Sequence, residues 1–313
     1  MKRLTQWILV LAGLLWAVAP GLHAQTWTTL APIPAPTEGM AVGGIGNALF
    51  TAYGYSPTTG DSNLTRMYSI KSNSWSLRAS GPSPVRSEIA YGDTTHNGML
   101  YVIGGRAGSP LNNLERYDPI SNTWVTLASM PTARAAAAAA VLDNSIIVIG
   151  GRTGTGGPCS GGALSAVELY DIDTNTWSTL APLPAPRSDL SAVAHGGNVY
   201  VFGGCDTFQS PVNDAFVYDP QTDSWSSIAS MPTARASAVA GKKGELVYVI
   251  GGWNGGNLAN NEIYDISHDT WSVGLAMPTP RSETGSFSHG GRIYVLGGGP
   301  FGASVSANEM FKP

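Results

Sequence analysis

The chain has 313 residues, 39 of them Gly and 21 Pro, with 43% hydrophobic, 9% aromatic and 12% charged residues. Gly and Pro together stay below the share that marks disorder, and charge is about half the usual quarter, so this is a folded, Gly-punctuated chain. With 17 Lys+Arg against 21 Asp+Glu and a formal charge of −4, no basic excess exists to neutralise phosphates, which argues against nucleic acid as a partner.

At the N-terminus, Lys2 and Arg3 precede an apolar stretch from Trp7 to Ala19 that Pro20-Gly21 breaks. Leu22-His23-Ala24 then supplies a small residue for signal peptidase, so residues 1–24 read as a signal peptide and 25–313 as the mature chain. The apolar stretch is short for a membrane span, and no later segment is apolar enough for one. Both Cys lie far downstream, so no lipidated Cys follows the leader. The expectation is an exported protein, periplasmic or secreted, without membrane insertion.

Along the mature chain, Trp27, Trp75, Trp124, Trp177, Trp225 and Trp271 recur every 46–53 residues. Seven residues before the last five stands a Tyr: Tyr68, Tyr117, Tyr170, Tyr218 and Tyr264. Upstream of each later Tyr an apolar run ends in a double Gly, at Gly104-Gly105, Gly150-Gly151, Gly203-Gly204 and Gly251-Gly252, and again at Gly297-Gly298; the first repeat has Tyr53-Gly54 instead. Each repeat reads as four short strands: a small-residue strand after Pro and Arg, the run into Gly-Gly, a strand ending at Tyr, and one carrying Trp. A period near 48 with four strands per repeat predicts an all-β propeller. Phe311 takes the Tyr position of a sixth repeat with no Trp after it, while Trp27 has no strands before it. The strand carrying Trp27 is therefore expected to complete the last of six four-stranded antiparallel blades, leaving no open sheet edge. The run Ala135 to Ala140 is helical by propensity, but its phase in the repeat makes it a strand.

A double Gly after an apolar strand, then a Tyr, then a Trp: on these marks residues 25–313 resemble the kelch-repeat family. Its members include peptide-binding adaptors, copper-radical sugar oxidases and a periplasmic sialic-acid epimerase, so the resemblance implies the fold and leaves the activity open.

Up-and-down connectivity puts the loops between second and third strands, and the links between blades, on one face, here called the top. His96, His195, His268 and His289 all fall on hairpins of the opposite face, in different blades, where nothing makes them converge on one ion. No metal and no cofactor is expected.

On the top face, Arg86, Arg134, Arg187, Arg235 and Arg281 share one repeat position, with Thr37 in the first blade. Two residues before the Tyr position stand Arg66, Glu115, Glu168, Phe216, Glu262 and Glu309. Arg and Glu occur together in four blades and are lost together in the first, which suggests structural pairs; in the peptide-binding members that the chain resembles, such Arg residues also hold acidic ligands. Arg187 lacks its Glu, so it contacts either Asp189 or a ligand. The residues after the double Gly open onto the same face: Tyr55, Arg106, Arg152, Cys205, Trp253 and Gly299. Trp253 stands outside the repeat series, as a stacking platform or as a plug against a loop. Cys159 and Cys205 belong to adjacent top-face loops and are candidates for a disulfide that would hold Asp206 at the same corner.

These readings predict a binding protein that recognises a protein or carbohydrate ligand on the top face, through Arg106, Arg152, Arg187, Asp189, Asp206, Arg235 and Trp253. The alternative is a periplasmic isomerase or epimerase acting on an acidic sugar, similar to the sialic-acid mutarotases. Arg187 or Arg235 would then hold the carboxylate, with Asp189, Glu88 or Glu283 as general acid or base.

Overall fold

The computed structural model describes residues 24–92, 94–299 and 303–313. The leader expected over residues 1–24 lies, apart from Ala24, outside them. The described residues form strands and turns without a helix, and accordingly no helix among them could cross a membrane. Six four-stranded antiparallel sheets make the blades, and the innermost strands of neighbouring blades touch around the axis, with blade II reaching blade III through Tyr91.

Blade III shows the plan: Ala138–Leu142 innermost, then Ser145–Ile149, Val167–Asp171 and Thr176–Thr179. The second strand, Ser-Ile-Ile-Val-Ile, is sandwiched between sheets and almost wholly buried, which is why it is a continuous apolar run. The outermost strand exposes every residue except its Trp. The alanine run lies in the inner strand, where small side chains fit the crowded axis; tertiary packing overrides helix propensity there. In blade VI the outer strand is Thr26–Thr29, paired with Asn308–Lys312 so that Trp27 stands opposite Phe311.

The repeat Trp residues clamp blade to blade. Five are paired across their hairpin with a Tyr, as in Tyr117–Trp124 and Tyr218–Trp225, with ring centroids 5.1 and 5.0 Å apart, and Trp27 with Phe311. Each indole N–H donates to a carbonyl in the link leaving the preceding blade: Trp124 to Ala79 at 2.8 Å, Trp177 to Ala128 at 2.8 Å. In the same hairpins Asn122 and Asn175, held at positive φ, accept from the Tyr hydroxyl and from the N–H of that link alanine. A Tyr-Asn-Trp set is thus one joint made of two hydrogen bonds to the neighbour and a ring contact.

The double Gly answers a backbone demand. Gly104 and Gly105 have φ of 60° and 100°, and a Cβ on Gly104 would lie 2.6 Å from the Arg134 carbonyl of the next blade. Any side chain there would collide with the chain that enters blade III.

Blade II departs from the repeat. Only Thr95–His96 pairs as its inner strand, while Tyr91 turns to blade III: Ala139 donates to its carbonyl at 2.7 Å, and its own N–H reaches Ala137 at 2.8 Å. Gly92 permits this approach at φ 132°, because a Cβ there would sit 2.0 Å from the Ala139 oxygen. Tyr91 therefore crosses the axis, bordering a void of about 10 Å³ with Met40, Val239 and Thr284 of other blades. It separates a bottom funnel of about 100 Å³, lined by inner-strand residues such as Ala140, Ala194 and Lys242, from the top-face mouth.

Candidate functional site

Around the mouth, two residues past the repeat arginine, six residues share a left-handed backbone: Gly39, Glu88, Ala136, Asp189, Ser237 and Glu283, with φ between 50° and 58°. Gly39 donates to the carbonyl of Glu283, Glu283 to Ser237, Ser237 to Asp189, Asp189 to Ala136 and Ala136 to Glu88, at 2.7–3.1 Å; Ile89 closes the circle onto Gly39 at 3.3 Å. This collar of backbone hydrogen bonds holds non-glycine residues in a conformation that costs on the order of 1 kcal/mol each, a pattern found at functional sites. Three of its six residues are acidic.

Outside the collar, single antiparallel bridges attach the residue before each collar position to the residue after each double Gly. They join Glu38 to Tyr55, Ser87 to Arg106, Ala135 to Arg152, Ser188 to Cys205, Ala236 to Trp253 and Ser282 to Gly299. The top-face loops are therefore fixed to the collar.

The repeat arginines are absorbed by the fold. Arg134 pairs with Glu168 at 2.8 Å, Arg281 with Glu309 at 2.6 Å, and Arg86 and Arg235 with Glu115 and Glu262. Arg235 is wholly buried. Burial pulls the Arg134 guanidinium down to about 10, the Glu168 charge opposing. Arg187 finds Asp214, where the sequence suggested Asp189. The left-handed backbone at Asp189 turns its carboxylate instead to Arg152, at 3.3 Å, and to the hydroxyls of Ser188 and Ser237.

Arg152 is buried and pairs with both Asp189 and Glu88, the latter at 2.9 Å. Arg106, partly exposed, takes the other Glu88 oxygen at 2.8 Å. Cys159 and Cys205 form a disulfide with Cα atoms 5.3 Å apart; it brings the Cys159 N–H to Asp189 at 3.3 Å. Trp253 packs, half-buried, against this bridge and Ala236. Asp206 organises its own loop, accepting from the N–H groups of Phe208 and Ser210 at 2.9 and 3.0 Å. The disulfide and Trp253 thus cover the mouth on the side of blades III to V.

Among the described residues the other side is open. A cleft of about 290 Å³ is lined by Glu38, Tyr55, Ser87, Glu88, Arg106, Gly156, Gly157 and Glu283. Of the expected ligand residues only Arg106 lies in it, together with Glu88 and Glu283, two of the acid–base candidates of the alternative reading. Glu38 occupies the position that other blades give to Ser87, Ala135, Ser188, Ala236 and Ser282, so a charged residue at a small-residue position was the signal for it. Glu38 and Glu283 are each 6% exposed, and one Glu38 oxygen is buried with no hydrogen-bond partner. Among the described residues neither carboxyl has an ion-pair partner. Burial raises the pKa of Glu38 in spite of the Ser304 hydroxyl beside it, and raises that of Glu88 in spite of Arg152 and Arg106. Glu283 is pushed well above the usual carboxylate range by burial first, then by repulsion from Glu38, Glu88 and Asp189. The Tyr91 hydroxyl, also buried without a hydrogen-bond partner, lies in the same field.

Chemically, then, the mouth holds four carboxyls and two guanidiniums, with both guanidiniums already committed. No group of three or more His, Cys, Asp or Glu among the described residues is placed to hold a metal ion.

Comparison with known proteins agrees with this architecture. The model of the KLHDC2/KLHL20/DRC7 Kelch-repeats domain matches residues 128–298, and that of the Attractin/LZTR1 beta-propeller residues 14–182. Kelch-like protein 41b of Danio rerio is 31% identical over 184 residues, 58% of this chain and 29% of the relative. Kelch-like protein 23 of Homo sapiens is 28% identical over 214 residues, 66% of this chain and 37% of the relative. The chain thus spans about a third of the length of the curated relatives it matches. A solved structure described as "Structure of YjhT" superposes with a TM-score of 0.77 at 16% identity, covering 90% of this chain and 96% of that one, a likeness of fold alone. With six blades, a double Gly and a Tyr–Trp pair in the blade repeat, and family models that each match more than half of it, the chain belongs to the kelch-repeat β-propeller family.

Proposed function

We propose that the protein is an exported recognition module that binds a partner protein on the top face. The observation that carries this reading is the combination, on one rim, of a pinned collar, an open cleft and a projecting apolar side chain. Phe208 is 85% exposed at the tip of the loop after Cys205, a loop that Asp206 and the disulfide hold in place. Exposed aromatics on rigid loops are characteristic anchors of protein interfaces. The cleft is at the bottom of the size range of small-molecule sites, about 300–1,000 Å³, room for one inserted side chain. An acidic sugar fits it poorly, because its carboxylate would enter beside Glu38 and Glu283. The leader pattern and the disulfide both suit export to an oxidising compartment.

A random-peptide display selection against the purified protein tests the reading. Selected peptides are expected to lose at least tenfold in affinity on Phe208→Ala, a change at an exposed tip that leaves the fold intact. Peptides indifferent to Phe208→Ala and to substitutions in the cleft would overturn top-face recognition. A thermal shift by a neutral saccharide, with no peptide selected, would move the assignment to a carbohydrate ligand. N-terminal sequencing of the protein from the cell envelope or medium should begin at Gln25.

A further inference from the structure

Resting on the top-face reading, we propose that the open cleft receives a basic side chain of the partner, its alkylammonium or guanidinium seated between the carboxyls of Glu38 and Glu283 against the ring of Tyr55. The polarity is the reverse of what the row of repeat arginines suggests.

In the collar and the residues bridged to it, Arg152 and Arg106 face Glu88, Asp189, Glu38 and Glu283. Both arginines are taken up by Glu88 and Asp189. Glu38 and Glu283 remain, each about nineteen-twentieths buried and each forming cleft wall. Buried carboxyls in folded proteins are as a rule paired or hydrogen-bonded; among the described residues these two have no ion-pair partner, and one Glu38 oxygen is buried without a hydrogen bond although the Ser304 hydroxyl stands beside that carboxyl, so at the cleft they mark a cation position.

Their placement is built rather than incidental. Glu283 sits in the hydrogen-bonded collar with a left-handed φ of 51°. Glu38 is fixed by a two-way backbone bridge to Tyr55, at 3.0 and 2.9 Å. That bridge also sets Tyr55 as the cleft wall beside the two acids, and an aromatic face adds attraction for a cation. Opposite, Gly156 and Gly157 bring bare backbone to the cleft, held there by Arg152, whose guanidinium donates to the Gly156 carbonyl at 3.0 Å, and by the disulfide two residues on.

The occupant follows by elimination. An anion meets uncompensated carboxyls. A metal ion lacks a ligand set among the described residues. The volume, about 290 Å³, accommodates one extended basic side chain. Its stem would lie along Tyr55 and its charged end between the acids.

The test is an NMR titration of the full protein with Nα-acetyl-lysinamide and Nα-acetyl-argininamide, with Nα-acetyl-norleucinamide as the isosteric neutral control, followed at the backbone amides of Gly39, Tyr55 and Gly157. Saturable shifts by a basic probe are expected, absent with norleucinamide and at least tenfold weaker in the Glu38→Gln/Glu283→Gln double variant. Gln replaces Glu without change of shape, and a melting curve of the variant verifies that it is folded. Equal shifts by norleucinamide, undiminished binding by the double variant, or no shift with either basic probe would overturn the assignment. The two readings separate in the selected peptides. A top-face peptide whose affinity survives replacement of its Lys and Arg by norleucine overturns the cation site and leaves recognition standing. Saturable lysinamide binding with no peptide ligand keeps the cation site and removes the partner protein.

Discussion

Burying a carboxyl without a cation disfavours its charged form, and at Glu283 the repulsion of Glu38, Glu88 and Asp189 acts in the same direction, with Arg152 the weaker opposing influence. A raised folded pKa means that the unfolded chain loses its proton first. Stability is then fully present below the ordinary carboxyl value of about 4.5 and drains away as pH rises toward the raised value. Glu38 and Glu88 add to the same trend. Glu283→Gln is therefore expected to raise the melting temperature at pH 8 more than at pH 5. Melting curves across that range check it, and a variant that parallels the wild type at every pH would refute the assignment. Arg66 gives the complementary case. It stands where other blades place the Glu of the Arg–Glu pair, is 7% exposed, and has no ion-pair partner among the described residues; burial lowers its pKa. Replacing an unpaired buried charge by an apolar chain of similar length is commonly stabilising, so Arg66→Met should raise stability by about 1 kcal/mol or more, read from chemical denaturation. Removing Glu168, in contrast, strands Arg134 and should cost about 3–5 kcal/mol.

At the level of elements, the loop from Arg152 to Ala163 is the least repetitive part of the top face, and the disulfide is what ties it down. Cys159 and Cys205 are 46 residues apart, for which the chain-entropy model gives up to about 4 kcal/mol of stabilisation. Reduction, or Cys159→Ser with Cys205→Ser, should lower the melting temperature. It should also free Gly156 and Gly157 from the cleft, so limited proteolysis under reducing conditions is expected to cut first between residues 153 and 162. Cleavage elsewhere, at an unchanged rate, would mean that Arg152 alone holds the loop. This loop also shows where sequence reading ends. The double Gly and the Tyr–Trp pair were legible because each meets a fixed backbone or joint requirement that recurs in the repeat. The Arg–Glu pairs were legible because both partners lie in one blade. Pairing across blades at the axis has no such register: Glu88 of blade II meets Arg152 of blade III, and Arg152 meets Asp189 of blade IV. The turn of Tyr91 into blade III depends on one Gly92 and no period at all. Glu38 could have been found, since it interrupts a column of Ser and Ala.

For the molecule as a whole, the ring is closed by hydrogen bonds of two kinds, the collar at the axis and the Trp joints at the rim. A stack of repeats tolerates loss at its ends, because each repeat contacts only its neighbours; a closed ring does not. In blade VI the rim joint is made by residues distant in sequence: Trp27 stacks on Phe311 with centroids 4.9 Å apart and donates to the Leu275 carbonyl of the link from blade V at 3.0 Å, while Gln25 accepts from the Leu275 N–H. Gln25 and the four residues Thr26–Thr29 carry this joint, and the strand covers the free edge of Asn308–Lys312. Deleting residues 24–30 leaves blade VI with three strands, bares that edge and removes the clamp on blade V. Exposed edges pair with other chains, so the shortened protein should associate with rising concentration and unfold in more than one step. Size-exclusion chromatography with light scattering and a denaturant titration read both effects. Trp27→Ala keeps the strand but loses the ring contact and the indole donor, and it separates the two contributions: it should lower stability by about 3–5 kcal/mol without association. A truncated chain that stays dispersed and unfolds in one cooperative step would show that the collar alone holds the ring shut.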